Sequence, residues 1–152
     1  MNLFQRTVRR LRELFAPQSL KAPEGLLKVV NATRGTVVAT RLEVAGAGKK
    51  RRKGLLGRES LNSGEGLWLI PCESVHTLFM RFPIDLVYLD REHRIKKVRS
   101  CVGAWRLSAC LSAHSVLELA AGTVRATETQ RGDTLEFRPA AVSGPSECAT
   151  ES

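Results

Sequence analysis

The stretch VHTLFMRFPIDLVYLD, Val75 to Asp90, decides the fold. Read as extended chain, Val75, Thr77, Phe79 and Arg81 project from one face, and His76, Leu78, Met80 and Phe82 from the other. Pro83 interrupts the ladder because it has no N–H to donate. A second strand follows, with Ile84, Leu86 and Tyr88 on one side and Asp85, Val87 and Leu89 on the other. Both strands carry apolar residues on both faces, which predicts central strands covered on both sides, as in a sandwich or a closed barrel. His76, Arg81 and Asp85 sit inside this pattern. They are either a working site or the internal hydrogen bonding of a small β domain.

Outward from this pair the chain continues to read as strands. LLKVVNAT and GTVVATRLEVA, rich in Val and Thr, flank Arg34-Gly35, which supplies a tight turn. GEGLWLIP is a strand entered through a glycine-rich turn and ended by Pro71. DREHR turns the chain into IKKVRSCV; SVLELAAGT, a short helical VRATETQ, Gly132-Asp133 and TLEFRP complete the series. GAGKKRRKGLLGRESL holds at most two helical turns. No strand is joined to the next by a helix long enough for a parallel crossover. The prediction is therefore a mainly β, compact single-domain antiparallel sandwich with one or two short helices, spanning residues 26–138.

The ends differ from this domain. In MNLFQRTVRRLRELF, residues Leu3, Phe4, Val8, Leu11, Leu14 and Phe15 fall within a helical arc of roughly 140°, with Arg6, Arg9 and Arg10 on the opposite side. This predicts a basic amphipathic helix over residues 1–16, which either packs on its own domain or a partner, or lies in an anionic membrane interface. Pro17, Pro23 and Gly25 make residues 17–25 a linker. Residues 139–152 lack bulky side chains and are expected to be disordered.

The net charge is +9, with 43% hydrophobic and 26% charged residues. The segments 1–21 and 49–58 together carry +10, so the rest is near neutral and a diffuse nucleic-acid-binding surface is not expected. The run Lys49 to Lys53 offers a phosphate contact, but no aromatic residues interleave it to stack bases. No apolar run approaches the roughly 20 residues that cross a bilayer. The cysteines, Cys72, Cys101, Cys110 and Cys148, form no zinc spacing; they read as thiols in a reducing compartment, with a Cys101–Cys110 bridge as the alternative in an oxidising one. His76, His93 and His114 are too widely spaced for a metal site, His93 falling in a solvated turn, and no cofactor is implied.

In order and spacing, KGLLGRESL, GEGLWL, VHTLFMRFPIDLVYLD, VLELAAGT and GDTLEF resemble a bacterial and archaeal family known as domain of unknown function 192, or uncharacterised protein family 0127. The resemblance runs from about Arg52 to Arg138. It implies a jelly-roll β-sandwich without an established activity. It places Gly54, Leu55 and Arg58 on a short helix and turn, Met80, Arg81, Pro83 and Asp85 on a central strand pair, and Glu118, Gly122, Gly132 and Asp133 in the closing elements. Many members begin with an export signal or lipoprotein anchor, where this chain begins with the basic helix. The expected location is therefore the cytoplasm, peripheral to the inner membrane.

Arg58, His76, Arg81, Asp85 and Trp105 form the candidate site. As an enzyme, the chain would use His76 and Asp85 as acid and base with Arg58 or Arg81 clamping a small anionic ligand, within hydrogen-bond reach of one another. As a β module, Asp85 would pair with Arg58 or Arg81 to satisfy a buried charge, and Trp105 would either cap the end of the sandwich or, with Arg106, anchor an interface. The second expectation, a non-enzymatic domain associating with an anionic membrane surface or protein partner, is the one preferred here. G-x-S-x-G, P-loop and Rossmann patterns are absent.

Overall fold

The computed structural model describes residues 25–46 and 54–140. The expected amphipathic helix (1–16), most of the linker, the Lys49–Lys53 run and the tail from 141 onward lie outside the described residues. Among those described, the elements are β1 (Leu27–Asn31), β2 (Thr36–Ala45), β3 (Glu65–Leu69), β4 (Ser74–His76), β5 (Ile84–Leu89), β6 (Ile95–Val102), β7 (Leu107–Ala109), β8 (Ser115–Ala120), α1 (Thr123–Ala126) and β9 (Leu135–Pro139).

Seven strands form one sheet in the order β6-β5-β8-β3-β2-β1-β9, and β4 pairs with β7 in a second sheet of two strands. All pairings are antiparallel except β2 with β3, which run parallel from Arg41↔Glu65 to Ala45↔Leu69. The long sheet curls until its edges meet. Ile95 N donates to Asp133 O at 2.8 Å, Gly132 N to Ile95 O at 2.9 Å and Leu135 N to His93 O at 3.0 Å, so the start of β6 is laced to the start of β9. Strands twist right-handedly, and the twist accumulates across seven of them into closure at one end. The protein is mainly β with very little helix, as its sequence predicts. Its layers differ from those of a two-sheet jelly roll: one curled sheet carries a small two-stranded arm on its outer face.

Side-chain alternation explains how one sheet supports two cores. In β5, Val87 and Leu89 join Leu117 and Leu119 of β8 in a core that draws residues from all seven strands, the inside of the curl. Ile84, Leu86 and Tyr88 join Val116 in the second core, on the outside, which Leu55, Val75 and Met80 cover. Every residue of β5 and β8 is buried. Each fully buried large aliphatic side chain contributes roughly 1.5–3 kcal/mol, so these two strands are the energetic centre of the domain. Gly66 lets the neighbouring strands close in: a Cβ there would stand 2.8 Å from Leu119 Cδ2 and 2.9 Å from the Glu118 carbonyl oxygen.

The expected strand over Val75–Phe82 is shorter than its composition suggests. Only Ser74–His76 is extended, and it pairs with β7 rather than β5. At Thr77 the chain turns: Met80 N donates to Thr77 O at 3.2 Å, Trp105 N to the same oxygen at 3.0 Å, and the Thr77 hydroxyl to Gly103 O at 2.7 Å. These bonds, most of them to residues far along the chain, take the place of a ladder, and Phe79 takes a left-handed φ of 63°. The expected helix near Gly54–Arg58 is a single turn, with Arg58 N donating to Leu55 O at 3.2 Å.

Candidate functional site

Asp85, fully buried in β5, is not held by an arginine. Its Oδ1 accepts the Cys101 amide at 2.7 Å and its Oδ2 accepts the Val124 amide at 2.8 Å. The first amide lies where the β5–β6 register slips and Cys101 adopts φ 50°. The second belongs to the first turn of α1, whose own N-cap, Gly122, has no side chain to offer. A carboxylate reaching in from the adjacent strand thus takes the place of a helix cap. The ion pair expected of Asp85 with Arg58 or Arg81 is replaced by main-chain donors. Arg58 pairs instead with Glu43 at 2.8 Å, both side chains being partly exposed. Arg81 and His76 are exposed. A catalytic set of His76, Asp85 and an arginine is therefore not assembled: His76 belongs to the small arm and Asp85 to the curled sheet.

His76 instead stands at a cavity of about 130 Å³ between the arm and the outer core. Leu55, Leu69, Val75 and Met80 contribute apolar walls, Ser74 and His76 line it from β4, and Glu118 from β8 lines it on the sheet side. Glu118 is 4% exposed, and its Oε2 has no hydrogen-bond partner among the described residues. Burial lifts its carboxyl from 4.5 to about 7, and the charge of Arg58 opposes part of that rise. The sequence carried a signal here, an acid inside the otherwise apolar run VLELA, where alternation turns Glu118 to the same face as Val116.

The outer side of the arm presents a different surface. Register pairs His76 with Leu107 and Ser74 with Ala109, so these four residues share the solvent face while Val75 and Ser108 point inward. Beside them Phe79 and Trp105 touch edge to face, with ring centroids 4.7 Å apart. Phe79 is 70% exposed, Trp105 59% and Leu107 76%, so this apolar cluster lies in solvent and not in either core. Trp105 adopts φ 59°, and its main chain is tied to Thr77 on both sides, through Trp105 N to Thr77 O and through Arg106 N to the Thr77 hydroxyl at 3.0 Å. Arg81 and Arg106 are exposed, and neither forms an ion pair with a described residue.

A third polar group lies where the sheet closes. Asp133 Oδ2 accepts Asn31 Nδ2 at 2.8 Å, Arg34 Nε at 2.7 Å and Gln130 N at 3.0 Å. Burial pushes this carboxyl up, but the bonds from Asn31, Arg34 and the Gln130 amide outweigh it and hold it below the usual range. His93, expected in a solvated turn, is half-buried against Trp68 and Phe137, at 5.6 and 4.6 Å between ring centroids. Burial lowers its pKa, with Asp90 and Glu92 opposing. Cys101 and Cys110 are not bridged. Among the described residues no group of three His, Cys, Asp or Glu side chains is placed to hold a metal ion, and no helix is long and apolar enough to cross a membrane.

Comparison with known proteins agrees with this fold. The chain is 26% identical over 117 residues to the UPF0127 protein TK1120 of Thermococcus kodakarensis, covering 73% of each chain. It superposes on a Novosphingobium aromaticivorans protein of unknown function with a TM-score of 0.63 at 19% identity, covering 73% of this chain and 83% of that one. A Sinorhizobium meliloti structure described as a "putative transcription regulator" matches with a TM-score of 0.65 at 21% identity, covering 73% and 91%. At these identities the two structures speak to the fold alone. The model of DUF192, an uncharacterized ACR, matches residues 29–137, and the chain belongs to that family.

Proposed function

We propose that this domain is a non-enzymatic binding module that settles on an anionic membrane surface through the outer side of its β4–β7 arm. The observation that carries the reading is the exposed Phe79–Trp105 ring pair, with Leu107, Arg81 and Arg106 exposed close by in sequence and neither arginine in an ion pair with a described residue. Non-glycine residues in the left-handed region cost on the order of 1–2 kcal/mol each, and two adjacent aromatic residues accept that cost in order to stand in solvent. Apolar side chains that enter the headgroup boundary, ringed by arginines that meet anionic lipid, suit an interfacial anchor. Each arginine near such a surface adds on the order of 1 kcal/mol. The amphipathic segment expected over residues 1–16, with Leu3, Phe4, Val8, Leu11 and Phe15 opposite Arg6, Arg9 and Arg10, supplies a second contact, and two weak anchors on one chain reinforce each other. An acid–base enzyme finds less support, because both Asp85 oxygens are already engaged by main-chain amides.

Vesicle co-sedimentation of the full chain tests this reading. Vesicles containing phosphatidylglycerol are expected to capture the protein, and vesicles of phosphatidylcholine alone to leave it in solution. Phe79→Ala with Trp105→Ala is expected to reduce capture severalfold without lowering the melting temperature, since both rings are exposed. Capture that is indifferent to lipid charge, or unchanged in the double variant, would refute the proposal; capture by a protein partner alone would replace it.

A further inference from the structure

The cavity on the inner side of the same arm has no role in surface attachment, and its composition is uneven. Leu55, Leu69, Val75 and Met80 make it apolar, yet the buried Glu118 also lines it, and one of its carboxyl oxygens has no hydrogen-bond partner among the described residues. A buried polar atom without a partner costs on the order of 1–3 kcal/mol, more when charged, and such an arrangement persists where something outside the fold completes it. We infer that this cavity is a binding site for a small organic ammonium ion, whose charged head pairs with Glu118 and whose short hydrocarbon body lies against Leu55, Val75 and Met80.

Size, charge and access each narrow the ligand class. A cavity of roughly 150 Å³ suffices for benzene, so 130 Å³ takes a body of comparable size, a short alkyl chain or a single ring. Glu118 is acceptor-only when ionised, so its complement is a donor, and an ammonium head supplies both hydrogen bonds and charge. A bare divalent ion is a poorer complement, because no three ligating side chains converge among the described residues. Arg58 is the cation whose charge acts on Glu118 from within the chain, but its guanidinium is committed to Glu43 at 2.8 Å. Cys72 and His76 are the other titratable groups lining the cavity. The exposed His76 and Ser74 mark the way in from solvent. This reading is independent of the membrane proposal, since it rests on Glu118, Leu55, Val75 and Met80, and the surface contact rests on Phe79, Trp105 and Leu107.

The experiment is a methyl NMR titration of the full chain with n-butylammonium chloride and with the neutral isostere n-butanol. Butylammonium is expected to perturb the methyls of Leu55, Val75 and Met80. It stays cationic at about pH 6 and about pH 8, while the ionised fraction of a carboxyl titrating near 7 rises roughly tenfold, so its affinity should rise by about that factor. Glu118→Gln, which keeps shape and removes charge, should weaken binding by about tenfold or more and abolish the pH dependence. Its dispersed spectrum would confirm that the variant folds. Butanol should bind more weakly than the ammonium ion. Equal binding of the two compounds, full binding by Glu118→Gln, no perturbation at either pH, or shifts scattered away from the cavity would each overturn the inference.

Discussion

The carboxylate of Asp85 accepts the amide of Val124 at 2.8 Å, joining the most buried strand of the sheet to the short helix α1. Its other oxygen takes the Cys101 amide at 2.7 Å, so one side chain organises β5, the bulged end of β6 and α1. This is a charge held by oriented main-chain dipoles, and it gives the aspartate a structural use that a pairing with arginine would also have met.

Replacing Asp85 with asparagine keeps the shape but sets an NH2 group against one of two amides. Charge-assisted bonds of this kind are worth about 1.5–3 kcal/mol each, and an amide left unpaired adds its desolvation cost. Asp85→Asn is therefore expected to lower unfolding free energy by about 2–4 kcal/mol in urea titrations, and Asp85→Ala by at least as much. A change below about 0.5 kcal/mol would show that the two bonds do not support the fold.

Glu118 makes the stability of the domain depend on pH. Its folded pKa, about 7, lies above the unfolded 4.5, so the native state favours the protonated form. The associated stability is fully present below the unfolded value and is lost as pH rises through the folded one. Over that interval the loss is on the order of 3 kcal/mol. The stability difference between the wild-type chain and Glu118→Gln, followed by denaturant titration from about pH 4 to about pH 8, should shift in favour of the variant. A difference that stays constant over this range would contradict the burial of an ionisable carboxyl.

Asp133 has the opposite sign. Its folded carboxyl is held below the ordinary 3.8, so the stability it contributes is present above that value and is lost as pH falls through the folded pKa. Asp133→Asn is expected to cost about 1–3 kcal/mol at neutral pH and to flatten the acid limb of the stability profile. Because this side chain joins Asn31 and Arg34 to the turn that closes the sheet, amide exchange should quicken first at Ile95 and Leu135 in the variant. Uniform protection across the sheet would argue against a local closing role.

The features legible without coordinates share one property: they depend on neighbours in sequence. The β1–β2 hairpin around Arg34-Gly35, the double-sided burial of Ile84–Leu89 and the short helix after Gly122 are each written in a local run of residue types. Thr77–Met80 was not legible. Its apolar and β-branched composition favours a strand, and only hydrogen bonds to Gly103, Trp105 and Arg106, far along the chain, turn it aside and leave Phe79 in solvent. His93 was misread for the same reason, since Trp68 and Phe137 reach it from distant strands. Of the five candidate residues, His76 borders the cavity, Trp105 stands on the outer surface with Arg81 exposed nearby in sequence to Phe79, Arg58 acts on Glu118 by its charge, and Asp85 serves the framework.

By itself the sequence determined that this chain makes a mainly β domain, which family it joins and where most of its strands run, because alternation and turn chemistry act over a few residues. The tertiary structure alone decided that one sheet curls onto its own edge, that the arm covers Glu118 and that Asp85 answers to amides. Those outcomes depend on which strands meet across distances of tens of residues, where many pairings satisfy the same local pattern and only packing of the whole selects one.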